Sequence, residues 1–146
     1  MSDYRKILVA VDLSDESAVI IDKARHIAKI NDAAELHLVH VQAPLAVSYA
    51  LDLPSINLAD LQIEMVEEAR KQLLELGASL ERPAKNMHNL VGTPAREIRE
   101  LAKQLGADLI VTGGHGKHGL DLLLGSTSTG VAHGVSCDLL IVKLQG

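Results

Sequence analysis

The sequence predicts an α/β domain in which one parallel sheet is covered by helices on both faces. Short apolar runs recur along the chain, as in strands that are buried on both faces. Segments whose apolar residues keep helical spacing alternate with these runs, and most connections between them are short. Right-handed crossovers then join the strands into a single doubly wound sheet. For a chain of 146 residues we expect one domain, residues 1–146.

The chain begins with a predicted strand, a helix and a second strand. The apolar run at 6–12 ends in an acid, as a buried central strand of such a sheet can. Ser14 is placed to cap the helix that follows, and this helix is expected to end near Asn31. Residues 35–41 are mainly apolar, with two histidines, and form the second predicted strand.

The middle of the chain predicts a long loop, a helix and a weak strand. The loop spans residues 42–57 and is long for a compact domain. The next helix starts near Leu58, keeps one apolar stripe, and has Gly77 as its expected C-cap. Residues 85–91 mix polar and apolar side chains, which is typical of a strand at the edge of a sheet.

The remaining elements begin with a well-marked helix. Thr93 and Pro94 are a cap residue followed by a proline at the first helical position, and Gly106 marks the end of this helix. The elements after it are a fourth strand at 107–112, a glycine-rich loop at 113–119, a short helix at 126–135 and a last strand at 138–143.

Composition disfavours several classes of function. The net charge of −5 speaks against nucleic acid and anionic membranes as partners. No apolar run approaches the roughly 20 residues that a membrane-spanning helix needs, and the N-terminus lacks the layout of a signal peptide. Cys137 is the only cysteine, so we expect a cytoplasmic protein without an intrachain disulfide. Tyr4 and Tyr49 are the only Phe, Trp or Tyr residues, so a bound base would lie against aliphatic side chains.

The fold class indicates where a ligand would bind. In open parallel sheets the ligand crevice lies beyond the carboxyl ends of the strands, where the strand order reverses. Asp12 follows the first predicted strand, Val41 ends the second, and the glycine-rich loop at Gly113 follows the fourth. These three places are therefore the candidates for a binding site.

The stretch from Thr112 to Thr129 favours an anionic ligand. Four glycines within 113–119 allow positive φ angles and close approach of the backbone to a ligand, and free N–H groups in such a turn form an anion nest. Gly125 then opens a helix whose N-terminus favours phosphate. Ser126, Thr127 and Ser128 add hydroxyl donors. The alternative is a glycine turn followed by a serine cap, with no ligand.

Two familiar phosphate motifs do not account for this stretch. A P-loop requires Ser or Thr after Gly-Lys, whereas His118 follows Gly116 and Lys117. Gly114, Gly116 and Gly119 match the dinucleotide fingerprint. That fingerprint belongs after the first strand, however, and here it follows the fourth, so we interpret the match as a coincidence.

Several segments occur in the order and spacing of a known family. They are residues 6–12 with Ser14, 38–41, 91–94, 107–113, and the signature Gly113-x2-Gly116 followed by Gly125-Ser126. In these segments the chain resembles the universal stress proteins over essentially its whole length. The resemblance implies a five-stranded parallel sheet of order 3-2-1-4-5 and a homodimer that assembles through the last strand.

The resemblance also implies ATP or a related adenine nucleotide as the ligand. In ATP-binding members the glycine signature holds the ribose and the phosphates, Asp12 would lie near the ribose or bind Mg²⁺, and Val41 would contact the adenine. The candidate nucleotide-binding residues are Asp12, Val41, Thr112, Gly113, Gly116, Gly125, Ser126, Thr127 and Ser128.

The chain departs from the family pattern in one place. Eight residues, 117–124, separate Gly116 from Gly125, whereas the ATP-binding pattern usually has nine. The branch of the family that does not bind ATP has lost these glycines, and this chain keeps them. The glycines therefore favour a nucleotide, while the spacer is one residue shorter than usual.

Three functions are compatible with these residues. The first is a dimeric, nucleotide-binding regulator of a stress response that acts through a protein partner. The second is a slow Mg²⁺-dependent ATPase or phosphotransferase that uses Asp12, although no nucleophile–base constellation and no catalytic residue is identified. The third is a dimeric interaction module without a nucleotide. His115 and His118 are spaced as a metal pair would be, but no third ligand is evident in the sequence.

Overall fold

The computed structural model describes residues 4–32, 34–45, 57–78, 86–115, 130–132 and 134–144. Strands and helices alternate over most of this range, as the apolar patterns predict. The elements are β1 (Lys6–Ala10), α1 (Ser17–Ile30), β2 (Glu35–Gln42), α2 (Leu58–Ala78), β3 (Asn86–Val91), α3 (Pro94–Leu105), β4 (Leu109–His115) and β5 (Asp138–Leu144).

The five strands form one parallel sheet of order β3-β2-β1-β4-β5, which confirms the predicted fold. β1 lies at the centre, and its residues Ile7, Leu8 and Val9 have no exposed surface. A strand with neighbours on both sides and helices on both faces must be apolar along its length, which is why this run is continuous. β3 lies at an edge of the sheet, as its polar residues predict.

The helices cover both faces of the sheet. On one face, α1 and α2 pack on alternate residues of the central strands, with Ile20 and Leu73 almost fully buried. On the other face, α3 and the helical residues 130–132 pack on the remaining strand residues, through Ile98 and Val131. The alternation of side chains in each strand therefore builds two cores from one continuous apolar run.

The ends of α3 follow the sequence prediction. Thr93 is the N-cap in extended backbone, Pro94 is the first helical residue, and the N–H of Glu97 donates to the Thr93 carbonyl at 2.9 Å. Gly106 has φ +70° and its N–H donates to carbonyls of the last turn. This left-handed C-cap is the reason glycine stands at the end of the helix.

The predicted start of α1 and the predicted end of α2 are wrong. Ser14 does not cap α1, because the helix begins at Ser17 with Glu16 at the N-cap, and Ser14 belongs to the turn before it. Gly77 does not end α2, which continues to Ala78. A Cβ on Gly77 would lie 2.6 Å from the Sδ atom of Met87, so glycine stands there because β3 approaches the helix closely.

Parts of two further predictions lie outside the described residues. Of the predicted loop at 42–57, Gln42 belongs to β2, and residues 46–56 are not described. Of the predicted helix at 126–135, residues 130–132 are helical, and residues 126–129 and 133 are not described. Gly134 and Val135 are not helical, so the predicted end of this helix at Val135 is wrong.

Candidate functional site

The sheet brings the carboxyl ends of β1, β2 and β4 together. Ala10 of β1 lies beside Val39 of β2, and Val9 lies beside Val111 of β4. β2 and β3 lie on one side of β1, while β4 and β5 lie on the other, so the strand order reverses between β1 and β4. The chain leaves the sheet after β1 at this reversal, which is where a parallel sheet opens a crevice.

Asp12 lies in the turn that leaves β1, two residues beyond the end of the strand. The predicted strand at 6–12 is therefore two residues too long, although the N–H of Val11 still donates to the Val39 carbonyl at 3.0 Å. Asp12 Oδ1 accepts the N–H of Ser14 at 3.0 Å and its hydroxyl at 2.7 Å. The buried hydroxyl of Ser17 donates to the same oxygen at 3.4 Å. These bonds orient the carboxylate while all three reach only one of its oxygens.

The hydrogen bonds decide the charge of Asp12. Burial raises the pKa of this carboxyl, but the hydroxyl and N–H of Ser14 and the hydroxyl of Ser17 outweigh burial and lower the pKa below its ordinary value. Asp12 is therefore ionised at neutral pH. Leu13 has φ +64°, an uncommon angle for a leucine, and it turns the chain sharply from the sheet toward α1.

His40 supports the same turn from the neighbouring strand. Its Nδ1 lies 3.0 Å from the carbonyl oxygen of Val11, and because a carbonyl can only accept, Nδ1 carries the proton. Sequence reasoning missed the roles of His40 and Ser17. The contact of His40 joins residues 29 apart, and no local pattern signals such a contact.

Val41 and Gln42 lie at the carboxyl end of β2. Val41 is partly buried and packs against the core cluster under α3, on the face opposite to α1. Gln42 accepts the N–H of Gly92 through its backbone carbonyl at 3.0 Å. Its side-chain nitrogen Nε2 is buried without a hydrogen-bond partner, and the same holds for Nε2 of Gln62. The described residues therefore include two unsatisfied amide donors, and no local sequence pattern indicates either of them.

Thr112 lies in β4 as predicted, and Gly113 belongs to the same strand rather than to a loop. The predicted strand at 107–112 is in fact Leu109–His115, and Gly113 pairs with Val142 of β5. A Cβ on Gly113 would lie 2.7 Å from Leu144 Cδ1 and 2.8 Å from Ile20 Cδ1. The expectation of a turn at this glycine is thus wrong, since pairing with β5 keeps the backbone extended, and close packing accounts for the missing side chain. Thr112 is buried.

The remaining candidates lie outside the described residues. They are Gly116, Gly125, Ser126, Thr127, Ser128 and, from the histidine pair, His118. The helical residues that follow this segment are held against α3. A Cβ on Gly130 would lie 2.6 Å from Ala95 Cβ, and Nη1 of Arg99 donates to the Gly130 carbonyl at 2.7 Å.

His37, unlike His40, faces the side of the sheet under α3. Its Nε2 lies 2.6 Å from Glu35 Oε2, and its Nδ1 lies 3.3 Å from Nε2 of His88. Because a carboxylate only accepts, Nε2 of a neutral His37 carries its proton, and Nδ1 accepts from His88. Within the described parts of the chain, no group of three or more His, Cys, Asp or Glu residues is arranged to hold a metal ion. None of the helices described there combines the length and apolarity needed to cross a membrane.

Comparison with known proteins gives consistent matches over the whole chain. A family model described as the universal stress protein family matches residues 3–143. Universal stress protein A homolog 1 of Coxiella burnetii (strain RSA 493 / Nine Mile phase I) is 42% identical over 144 residues, covering 97% of this chain and 98% of that protein.

Solved structures with a similar fold also match this chain. The structure of hypothetical protein MJ0577 matches with a TM-score of 0.78 and 26% identity over 99% of both chains. A universal stress protein in complex with cAMP matches with a TM-score of 0.59 and 26% identity, over 97% of this chain and 98% of that one.

Proposed function

The chain belongs to the universal stress protein family, and we propose that it binds ATP or a related adenine nucleotide where β1, β2 and β4 end. The observation that carries this proposal is the turn at Asp12. An ionised carboxylate is held at the reversal of strand order by hydrogen bonds to Oδ1 from Ser14 and Ser17. The solved relative in complex with cAMP, at 26% identity, supports an adenine nucleotide as the ligand class.

The chemistry of Asp12 fits a ribose. A carboxylate accepts hydrogen bonds from hydroxyl groups, and bonds to an ionised acceptor are stronger than neutral ones. The bonds from Ser14 and Ser17 all go to Oδ1, so Oδ2 does not take part in them and we assign it to the ribose hydroxyls. The side chain is exposed and already oriented, so binding would need little ordering of it.

The base and the phosphates are assigned to different parts of the site. We place the adenine against the aliphatic end of β2 near Val41, since the chain has no Phe or Trp for stacking. The buried Nε2 of Gln42 is an unsatisfied donor at the same end of β2. Following the family pattern, the phosphates are assigned to Gly116, Gly125 and Ser126, with Thr127 and Ser128 as additional hydroxyl donors. Thr112 and Gly113, which the family pattern also assigns to the nucleotide, lie at the carboxyl end of β4, where Thr112 is buried and Gly113 packs against Ile20 and Leu144.

Mg²⁺ would enter this site together with the phosphates. The described residues contain no group of three or more His, Cys, Asp or Glu side chains that could hold a metal ion, so the cation would be held by phosphate oxygens, water and a carboxylate. Asp12 is the protein carboxylate that we assign to it, and the same residue serves the ribose if no cation is bound. The proposed activity is therefore reversible nucleotide binding by a cytoplasmic regulator.

We assign the dimer contact to β5. This strand is paired with β4 on one side and forms an edge of the sheet among the described residues. Leu139, Leu140 and Ile141 remain partly exposed in the single chain. An unpaired strand edge with apolar side chains is stabilised when a second copy covers it.

The experiment that tests the proposal compares two neighbouring aspartates. Asp12→Asn keeps Oδ1 as an acceptor for Ser14 and Ser17 and removes the charge, so the turn is preserved. Asp15→Asn, an exposed aspartate three residues further along the same turn, is the matched control. Loss of a charged hydrogen bond costs about 1.5–3 kcal/mol, so we expect roughly a tenfold or larger increase in the Kd for ATP in Asp12→Asn alone. Equal affinities in calorimetric titrations of both variants would contradict the placement of the nucleotide.

A further inference from the structure

A groove runs between α3 and residues 134–137, on the face of the sheet opposite to α1 and α2. It encloses about 320 Å³ and leads toward the start of β5, at the amino end of the sheet. Asp12 and the proposed nucleotide site lie at the opposite, carboxyl end. Ala102, Ala107 and Cys137 line part of the groove, and Ser136 adds a hydroxyl group.

The helical wall of the groove is cationic. Arg96, Arg99 and Lys103 follow one another at spacings of three and four residues, so they share one face of α3. The acid on this wall, Glu100, is engaged by Arg96, whose Nε lies 3.3 Å from Glu100 Oε1. Within the described parts of the chain, Arg99 and Lys103 make no ion pair with a carboxylate. The groove therefore holds positive charge that the described residues do not neutralise, in a chain whose net charge is −5.

Arg99 is held in place rather than free in solvent. Its Nη1 donates to the Gly130 carbonyl at 2.7 Å, which fixes one end of the guanidinium. A Cβ on Gly134 would lie 2.6 Å from Arg99 Nε and 2.7 Å from its Cδ, so the side chain lies directly against the backbone there. One Nη1 bond leaves further N–H donors of the guanidinium for a ligand. An arginine that is already ordered loses little entropy when it binds an anion.

The Cys137 end of the groove lies near carboxylates, unlike the cationic wall formed by α3. Burial raises the pKa of the Cys137 thiol, and the nearby carboxylates of Asp138 and Asp108 raise it further. Both acids serve the fold, since Asp138 accepts the hydroxyl of Tyr4 at 2.7 Å and Asp108 accepts the N–H of Arg5 at 2.8 Å. Negative charge at this end directs an anionic group toward the Arg99 end and leaves room beside the thiol for a neutral part of the ligand.

We propose that this groove is a second ligand site, which binds a small molecule carrying a phosphate group. The planar guanidinium of Arg99 matches phosphate oxygens in pairs, and Lys103 adds a point charge beside it. The volume of about 320 Å³ is at the lower end of pockets that bind small molecules, which suits a compact phosphorylated metabolite rather than a polymer. The inference does not rest on nucleotide binding at Asp12, because none of the groove residues belongs to that site.

The single cysteine gives a direct readout of this groove. Cys137 is the only thiol in the chain and lines the groove, so its alkylation by neutral iodoacetamide reports occupancy at this place alone. The probe is inorganic pyrophosphate, added to the full-length protein with the alkylation rate followed by mass spectrometry. Saturable slowing of alkylation is the expected result, because pyrophosphate bound at Arg99 narrows access to the groove and its negative charge disfavours the Cys137 thiolate, which is the form that reacts. An unchanged rate up to about 10 mM pyrophosphate, far above a typical ligand Kd, overturns the proposal.

Variants separate the groove from other anion sites. Arg99→Gln removes a charge-assisted bond worth about 1.5–3 kcal/mol, which corresponds to roughly a tenfold or larger increase in the pyrophosphate concentration needed for protection. Lys103→Gln weakens protection in the same direction without touching Gly130. The matched control is Lys71→Gln on α2, where protection is retained.

The remaining outcomes decide the ligand class and the location. Protection that is unchanged in both Arg99→Gln and Lys103→Gln overturns the site. Protection by an acidic peptide but not by pyrophosphate overturns the phosphate assignment. If pyrophosphate still protects Cys137 in Asp12→Asn, the groove is a separate site. If protection is lost in Asp12→Asn but retained in Arg99→Gln, pyrophosphate binds at the nucleotide site and the proposal is overturned. If Arg99→Gln does not fold, Lys103→Gln, at an exposed position, decides alone.

Discussion

Replacing Gly113 with alanine tests whether packing, rather than backbone conformation, requires glycine at the end of β4. A Cβ there would lie 2.7 Å from Leu144 Cδ1 and 2.8 Å from Ile20 Cδ1. Ile20 and Leu144 are only 2% and 3% exposed, so neither side chain can move into solvent. Overpacking of this kind costs about 1–3 kcal/mol. In a domain of this size, each kcal/mol lowers Tm by about 2–4 °C.

Urea denaturation followed by circular dichroism measures the loss of stability. A second variant identifies its cause, because Leu144→Ala removes the nearest clashing atoms. Leu144→Ala is destabilising by itself, but the double variant Gly113→Ala/Leu144→Ala is then expected to be less destabilised than the sum of the single variants, by about 0.5–2 kcal/mol. Such a coupling energy is the signature of a direct steric contact.

Gly106→Ala is the matched control for this experiment. Gly106 has φ +70° and nothing within 4 Å of its hypothetical Cβ, so alanine there is disfavoured by conformation alone. We expect a loss of about 1 kcal/mol and no coupling to Leu144→Ala. A free energy of unfolding for Gly113→Ala within about 0.5 kcal/mol of the wild type would contradict the steric clash, as would an effect that simply adds to that of Leu144→Ala.

Three further predictions follow from the site, from the histidines under α3 and from the edge of the sheet. We expect Gly116→Val and Gly125→Val each to weaken ATP binding in calorimetry while leaving Tm near that of the wild type. A β-branched residue disfavours positive φ and crowds a bound ligand. Unchanged affinity in both variants would remove residues 116–125 from the site. Burial, and then the neighbouring His37, lower the pKa of His88 below 6.5, so neutral His88 contributes stability above about pH 6.5 that is lost as pH falls through the folded-state pKa. His88→Gln therefore shows a smaller drop in urea midpoint between about pH 7.5 and pH 5.5 than the wild type, and an equal drop contradicts the assignment. Pairing through β5 predicts a dimer in light scattering at micromolar concentration, and a stable monomer there contradicts it.

The strands were predicted from the apolar runs and their order from the family resemblance, but neither predicted the strand ends. A run such as Ile7–Val9 is apolar because sheet neighbours and helices bury it on all sides, so the burial of this strand can be predicted from its sequence. The length of β4 cannot be predicted in this way, because glycine at 113 is unfavourable in an isolated strand. Pairing with β5 through Leu144 extends β4, and this contact joins residues far apart in the chain.

The candidate site was predictable only where it depends on strand ends. Asp12 and Val41 were found because a parallel sheet gathers the carboxyl ends of its strands at one edge. The contact of His40 with Val11 and the buried nitrogen of Gln42 depend on tertiary packing and left no local pattern. Arg99 appears in the sequence as an ordinary helix-surface charge, and its place in a groove depends on Gly134, far along the chain.

The central claim, nucleotide binding at the carboxyl edge, is tested most directly by titrating ATP with Mg²⁺ into the nucleotide-free protein in a calorimeter. We expect saturable binding near one nucleotide per chain, with a matching rise in Tm, which would show that the eight-residue spacer still closes a phosphate site. A hydrolysis assay on the same complex then separates a binding protein from a slow ATPase. Neither heat nor a shift in Tm at about millimolar ATP would contradict the account and leave the nucleotide-free interaction module as the function.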